Sequence, residues 1–298
     1  MLRRIIRCPL PDVQRVKIAI LDTGVVEDLK ERVSDYRDFA SRNDADLQDP
    51  IGHGTQAVFL IDRIYPEAEL YVGRIYDGRH ATDDAAALMT EAILYAKNKW
   101  GAEIIVTGSG FRNGNTPLEL AIDEARDAGI LQFAAALSCG NTEDIAFPAR
   151  TYTDLKLFCM FSTKPNVIDA SAFNPPPDAH AKHSFAILGE NIELHGTDGI
   201  RSISGTSYSA MIGAAVAGLF LEFVRHPDTQ GRIEHASRLS TVAGMSAVFN
   251  EMATLGGNGL DCIAPWKILP VHLRDEQVNI EAAREDIITT INRALRKR

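Results

Sequence analysis

The chain has 298 residues, of which 45% are hydrophobic and 24% charged, proportions typical of a globular protein with a sizeable core. They exclude a largely disordered chain and a small disulfide-stabilised domain. The formal net charge of −9 argues against nucleic acid as the main partner, because binding to phosphates requires a basic surface.

Cysteine usage and the distribution of apolar residues predict a cytoplasmic protein. The cysteines form no CxxC pair, which is typical of reduced thiols rather than of disulfides or a zinc site. They are Cys8, Cys139, Cys159 and Cys262. No signal peptide is visible, and the apolar run 210–221 is shorter than the about 20 residues that span a bilayer. We therefore expect a buried central helix at 210–221, no membrane partner and no cofactor.

Strands and helices alternate along the first two-thirds of the chain. Short, β-branched apolar runs predict buried strands. These runs cover 16–21, 69–76, 103–107, 130–136, 155–161 and a segment that begins at Val167. A helix is predicted to open at 82–84 with acidic residues and to close at Gly101. The next helix has Thr116 as its expected cap, Pro117 at its first position and Glu119 three residues after the cap.

This alternation, with short links, predicts a parallel sheet with right-handed crossovers. We expect a three-layer α/β fold, with a mostly parallel central sheet and helices on both faces. Ligands in such sheets bind beyond the carboxyl ends of the strands, where Asp22 lies. No linker or repeat is visible, so one domain over 1–298 is expected, with a core over about 16–225 and a helical extension over about 226–298. Its last helix is expected to pack through Ile280, Ile287, Ile288, Ile291 and Leu295.

Three short segments carry the side chains best suited to catalysis. Asp22 lies in Asp-Thr-Gly, His53 in Gly-His-Gly-Thr and Ser207 in Gly-Thr-Ser-Tyr-Ser. A serine hydroxyl becomes a good nucleophile when a neighbouring base takes its proton, and that base needs a third group to orient it. Glycines on both sides of His53 leave room for a substrate backbone. Ser207 at a helix start places its backbone N–H where an oxyanion would form.

These segments resemble the subtilisin-like serine proteases. ILDTG, GHGT and GTSYSA match the three blocks of that family in its order of Asp, His and Ser. The resemblance covers roughly 16–225 and is strongest to intracellular-type fungal subtilase domains, which share the AFPAR-like segment 146–150 and the PW-like segment 265–266. Two departures, Gln56 where a second histidine is common and Met211 where proline is usual, are not expected to touch the chemistry of the three residues.

The resemblance implies a subtilisin-like fold and indicates where substrate and oxyanion would bind. Gly108, Ser109 and Gly110 correspond to the strand that lines the substrate cleft, along which a peptide would add main-chain hydrogen bonds. The family usually has an asparagine after its Ala-Ala-Ala strand to hold the oxyanion. Here Ser138 stands at that position, and Asn141 lies three residues further on. Loss of one such donor costs about 100- to 1000-fold in turnover.

Three functions remain open at this stage. The resemblance implies a serine endopeptidase in which Ser207 attacks the peptide, His53 takes its proton and Asp22 orients His53, with a peptide or protein as substrate. The second function is a catalytically impaired binding or regulatory domain, suggested by Ser138 and by the lack of a recognisable propeptide. The third is a peptide ligase or cyclase that passes the same acyl-enzyme to an amine. The three ordered blocks favour the endopeptidase.

Other candidate residues are better explained as structural. Asp-Thr-Gly also marks aspartic proteases, but the predicted helices argue against that class. His195 also precedes Gly-Thr, yet no helical periodicity follows it, so we expect a loop histidine. His180 and His183 lie beside Asp178 in a proline-rich loop, where solvated side chains are more expected than a metal site. Cys139 is expected to be a small buried side chain rather than a nucleophile. No phosphate-binding glycine motif is present.

Overall fold

The computed structural model describes residues 14–45, 47–78, 84–138, 140, 144–196, 199–268 and 280–297. Its strands, in chain order, are β1 (Lys17–Asp22), β2 (Val33–Asp38), β3 (Glu69–Arg74), β4 (Ile104–Thr107), β5 (Leu131–Ala135), β6 (Phe158–Thr163), β7 (Phe185–Leu188), β8 (Ile192–Gly196), β9 (Gly199–Ile203), β10 (Ala253–Leu255) and β11 (Asp261–Ile263). Its α-helices are α1 (His53–Ile64), α2 (Ala85–Tyr95), α3 (Thr116–Asp127), α4 (Thr206–Phe223), α5 (Val242–Met252) and α6 (Ile280–Arg296).

Nine of these strands form one sheet in the order β10-β11-β7-β6-β5-β4-β1-β3-β2, and β8 and β9 form a separate antiparallel hairpin. Every neighbouring pair in the large sheet is parallel except β10 and β11. The predicted mostly parallel α/β sheet is therefore confirmed. After β1 the chain builds β2 and β3 on one side and β4 to β7 on the other. The carboxyl end of β1 is thus the point where strand order reverses, which is where such folds bind ligands.

Side chains of β1 alternate between the two faces of the sheet and join two separate cores. Ile18 and Ile20 pack with α1, α4, α5 and α6, whereas Ala19 and Leu21 pack with α2 and α3. The sheet therefore has a helical layer on each face, as the alternation of strands and helices predicts.

The predicted central helix is α4, which lies almost entirely inside the protein. By length and apolar composition it could cross a membrane, but 94% of it is buried in the protein, as for a core helix. Gly213 allows close packing on the sheet, since a Cβ there would lie 2.9 Å from Met160 Cε. This packing places the N-terminal end of α4, with Ser207, at the edge of the sheet that also holds the end of β1.

Some predicted element boundaries are wrong in detail. The cap of α3 is Asn115, whose Oδ1 accepts from the Leu118 N–H at 3.0 Å, so Thr116 is instead the first helical residue. The strand predicted at 155–161 begins at Phe158, because Leu155 ends a short 3-10 helix in a left-handed conformation. The expected opening of α2 at 82–84 falls mostly outside the described residues.

The second half of the chain departs further from the predictions. Val167 adopts φ 59° in a turn, so no strand begins there. His195 lies in β8 rather than in a loop, because β8 and β9 pair with each other outside the main sheet. The terminal helix is confirmed as α6: Ile287, Ile288, Ile291 and Leu295 are buried, whereas Ile280 is exposed.

Candidate active site

Asp22, His53 and Ser207 lie together at the carboxyl edge of the sheet. Asp22 is the last residue of β1, His53 the first of α1 and Ser207 the second of α4. The Asp22 Oδ1 lies 2.7 Å from His53 Nδ1, and His53 Nε2 lies 2.9 Å from Ser207 Oγ. The Asp22 side chain is 3% exposed and the His53 ring 26% exposed, so the acid is shielded while the ring reaches solvent. These distances allow a proton to pass from the hydroxyl to the imidazole.

The buried carboxylate controls the charge and tautomer of His53. The Asp22 charge and its hydrogen bond raise the pKa of His53, against the opposing effect of burial, and Asp49 adds a smaller increase. Because Nδ1 donates to the carboxylate, Nε2 of the neutral ring is left to accept from the Ser207 hydroxyl. The Asp22 Oδ1 also accepts from the Thr23 N–H at 2.8 Å, which holds the carboxylate in place.

Asp49, which the sequence analysis did not single out, joins the end of β1 to the start of α1. Its Oδ1 accepts from Thr23 Oγ1 at 2.8 Å and from the Gly52 N–H at 2.7 Å, and its Oδ2 accepts from the Thr55 N–H at 2.7 Å. Thr23 Oγ1 in turn accepts from the Gly54 N–H at 3.0 Å. The available signal was an acidic residue shortly before the Gly-His-Gly-Thr motif, since such residues cap free backbone N–H groups at helix starts.

Gly108 lies directly against all three of these side chains. A Cβ at Gly108 would come within 2.7 Å of His53 Cε1, 2.9 Å of Ser207 Cβ and 3.1 Å of Asp22 Oδ2. Contacts this short are not tolerated, so the position requires glycine while the cluster keeps its geometry. The predicted substrate residue is therefore beside the cluster.

The predicted substrate strand is shorter than expected. Because β4 ends at Thr107, Gly108, Ser109 and Gly110 continue the chain beyond the strand rather than within it. Ser109 Oγ donates to the hydroxyl of Tyr76 at 2.7 Å. A Cβ at Gly110 would lie 2.8 Å from the Cβ of the neighbouring Ala146. Ser109 is held by Tyr76, and Gly110 packs closely on the segment that contains Ala146.

Ser138, the candidate oxyanion residue, is bonded to the residue before Ser207. Its Oγ accepts from the Thr206 N–H at 3.0 Å and shares a second hydrogen bond with Thr206 Oγ1 at 3.1 Å. Thr206 Oγ1 accepts from the Leu137 N–H at 3.2 Å. The loop after β5 is thus fastened beside the start of α4, next to Ser207. Asn141, the other oxyanion candidate, lies outside the described residues, as does Cys139.

Of the remaining histidine candidates, His183 belongs to a second cluster of polar side chains. His183 Nδ1 lies 3.3 Å from Asp261 Oδ2, and its Nε2 lies 3.0 Å from Asn250 Nδ2. His180 is exposed, and its backbone N–H donates to the Asp178 carboxylate at 2.8 Å. Within the described part of the chain, no group of three or more His, Cys, Asp or Glu side chains is placed to hold a metal ion.

Curated proteins similar to this chain are subtilisin-like proteases. The subtilisin-like protease het-Q2 of Podospora anserina is 28% identical over 224 residues, which cover 72% of this chain and 58% of that protein. Thermitase of Thermoactinomyces vulgaris is 29% identical over 216 residues, or 68% of this chain and 74% of that protein. This chain thus spans less than two thirds of the length of het-Q2. No protein-family model matches it.

The fold agrees with these sequence similarities. The solved structure of the self-cleaved protease domain of PatA superposes with a TM-score of 0.64 at 18% identity, over 91% of this chain and 96% of that one. In both sequence and fold, this chain is therefore similar to the subtilisin-like proteases. The resemblance indicated by the three sequence blocks is therefore confirmed, and the relatives include a fungal protein.

Proposed function

We propose that this chain is a serine endopeptidase that hydrolyses peptide bonds through an acyl-enzyme intermediate. The observation that carries the proposal is the continuous hydrogen-bonded path from Asp22 through His53 to Ser207, with separations of 2.7 and 2.9 Å. Each distance suits a base that activates a hydroxyl and an acid that orients the base. The protease names of the similar curated proteins support the same reaction class.

In the first half of the proposed reaction, Ser207 Oγ bonds to the carbonyl carbon of the substrate as its proton moves to His53 Nε2. The carbonyl π electrons move to oxygen, which gives a tetrahedral oxyanion. The Asp22 carboxylate stabilises the imidazolium cation. When the C–N bond breaks, His53 gives its proton to the leaving amine, and the carbonyl re-forms as a Ser207 ester.

In the second half, water takes the place of the amine. His53 removes a proton from water as the water oxygen attacks the ester carbon, and then returns that proton to Ser207 Oγ when the C–O bond breaks. The products are a carboxylic acid and the regenerated hydroxyl. No cofactor enters either step.

The oxyanion requires donors placed where negative charge develops. We assign one to the backbone N–H of Ser207, near the positive end of α4. The second comes from the loop after β5, through Ser138 or Asn141. The hydrogen bonds between Ser138 and Thr206, at 3.0 and 3.1 Å, support placing this loop beside the reacting carbonyl.

The proposed substrate is an extended peptide or protein segment that pairs with the backbone at 108–110, next to the nucleophile. A cavity of about 320 Å³ lies at the start of α1 and is lined by residues that include Gly52, Gln56 and Ile203. We place the chain beyond the cleaved bond along this cavity, because Gly52 directly precedes His53, which protonates the leaving nitrogen.

We also propose a cytoplasmic location and a single domain over 1–298. The first is supported by Cys159 and Cys262, which are buried as free thiols. The second is supported by α6, whose residues Ile287 and Ile291 belong to the same apolar core as α4.

A second function, a binding or regulatory domain without turnover, is favoured by one observation. Ser138 Oγ already accepts a hydrogen bond from the Thr206 N–H, whereas the usual asparagine amide has two N–H donors for an oxyanion. Replacement of Ser207 by Ala separates the two functions in the organism: a role that survives the replacement does not depend on catalysis.

Labelling with a fluorophosphonate tests the endopeptidase directly. The folded chain is expected to gain one adduct, mapped by mass spectrometry to Ser207. Ser207→Ala should abolish the adduct, and so should unfolding in urea. Ser202→Ala, at an exposed serine in β9, should label like the parent chain. Absence of label on Ser207 in the folded chain would contradict the proposal. When Ser207 is labelled, the masses of the products formed from a peptide distinguish hydrolysis from ligation.

A further inference from the structure

A hydrogen bond joins the helix that carries Ser207 to the helix that carries His53. Tyr208 follows Ser207 in α4, and Gln56 lies three residues after His53 in α1, one turn along the same side of the helix. The Tyr208 hydroxyl donates to Gln56 Oε1 at 2.5 Å. Tyr208 is 7% exposed, so this bond is largely shielded from water.

The same tyrosine also packs against the imidazole. The ring centroids of Tyr208 and His53 are 5.3 Å apart, and the rings are inclined by 38°. Gly108 lies against another part of the imidazole, close to Cε1. Burial, with smaller effects of Asp22 and Asp49, raises the pKa of Tyr208 to about 12, so its hydroxyl remains a donor at working pH.

Glycines flank His53 at the entry to α1, where Asp49 and Thr23 hold three backbone N–H groups. Gly52, immediately before it, has φ 81°, and Gly54 immediately follows. Glycines allow the sharp entry into α1 but restrict the backbone least of all residues. A constraint one turn further along α1 therefore bears directly on where His53 points.

We propose that the hydrogen bond between Tyr208 and Gln56 sets the separation of His53 Nε2 and Ser207 Oγ, which makes Tyr208 and Gln56 positioning residues. The inference rests on the proposed function, since that separation matters for transfer of the Ser207 proton. It also changes the expectation for Gln56: the sequence analysis treated this departure as neutral, whereas the structure bonds it to the residue after the nucleophile.

The test is a double-mutant cycle on the full chain, with the acylation rate by a fluorophosphonate measured at a pH where His53 is neutral. Tyr208→Phe and Gln56→Met each remove one partner with little change in volume. Each should lower the rate about tenfold, as expected for one lost hydrogen bond. The double variant should be no slower than either single variant, because both remove the same bond. Gln56→Glu should restore the rate, since a carboxylate still accepts from the tyrosine.

The matched control is Tyr152→Phe, which also removes a buried tyrosine hydroxyl, one bonded to the Asp178 N–H at 2.9 Å. Its rate should stay within about twofold of the parent. The pH midpoint of acylation should be the same in Tyr208→Phe and the parent, since Asp22 sets it. Lower thermal stability at an unchanged rate would reveal a structural role alone and overturn the proposal, as would additive effects of the two substitutions.

NMR of ¹⁵N-labelled histidine gives a readout that does not require turnover. In Tyr208→Phe, the His53 Nε2 resonance should move toward its position in Ser207→Ala, because the bond to Ser207 is weakened. The Nδ1 resonance should stay in place. An unmoved Nε2 resonance overturns the positioning role. A parent chain that fails to react, together with a moved resonance, overturns the proposed endopeptidase but not the positioning of His53.

Discussion

The His53 cluster and the His183 cluster are alike in composition and differ in what they can do. In each, an aspartate is hydrogen-bonded to Nδ1 of the ring and a polar side chain to Nε2. Asp22 is 2.7 Å from its ring with its side chain 3% exposed, whereas Asp261 is 3.3 Å away and 25% exposed. The third group is a hydroxyl beside His53 and an amide beside His183, and an amide is a much poorer nucleophile because its nitrogen lone pair is delocalised.

Position in the sheet explains the difference between the two clusters. Asp22 ends β1, whereas Asp261 begins β11, and the parallel strands place them at opposite edges of one sheet. At the carboxyl edge, α1 and α4 begin with His53 and Ser207 near their N-termini, where the helix dipole favours developing negative charge. A similar set of side chains thus has a different electrostatic environment because of its place in the fold.

The strongest loss of activity is expected when the Asp22 carboxylate is removed, and removal of the Asp261 carboxylate is the comparison. Asp22→Asn should slow acylation by a fluorophosphonate about 10,000-fold, because the amide no longer favours the required tautomer or stabilises the imidazolium. Asp261→Asn should leave the rate within about twofold of the parent. Similar rates for the two variants would remove the distinction between the clusters.

Substitutions in the loop after β5 test the proposed oxyanion site, which lies beside Ser207. The second oxyanion donor is proposed to be Ser138 or Asn141. Replacement of that residue by Ala should lower peptide hydrolysis by about 100- to 1000-fold. Ser184→Ala, beside His183, is the control and should hydrolyse at the parent rate. Unchanged hydrolysis in both loop variants would contradict a side-chain donor from this loop.

Adding one methyl group tests how tightly the His53 cluster is packed. Gly108→Ala should lower the acylation rate about 100-fold, because its Cβ would displace His53 and Ser207 from each other. Gly257→Ala, near the other edge of the sheet, has no atom within 4 Å of the added Cβ and serves as the control. Equal rates for the two variants, with intact folding by circular dichroism, would contradict the close packing of Gly108.

The smallest of these differences concerns the pH dependence of acylation, which should follow the titration of His53 and be independent of His183. Since Asp22 raises the pKa of His53 above 6.5, the rate should fall about tenfold per pH unit of acidification below a midpoint higher than that value. Asp22→Asn should move the midpoint to lower pH, because the charge that favours the imidazolium is gone. His183→Gln should leave the midpoint unchanged. A shifted midpoint in this variant would contradict the assignment of the pH dependence to His53.

Regular, buried elements were predictable because their signals are local. The apolar runs of β1, β4 and β5 and the helical spacing of α6 are visible in a few residues each. β2 was missed because it is an edge strand whose sequence VSDYRD is polar and partly exposed. The hairpin of β8 and β9 was missed because its strands pair outside the main sheet and carry polar residues such as Glu193.

The three short motifs already show which side chains are available for chemistry and in what order they occur. That these side chains meet depends on how the chain folds, because 31 residues separate Asp22 from His53 and 154 separate His53 from Ser207. The tertiary structure also decided the bonds of Asp49 and the contact of Tyr208 with Gln56. Such contacts depend on how two helices pack on a sheet, and no local pattern of residues records that packing.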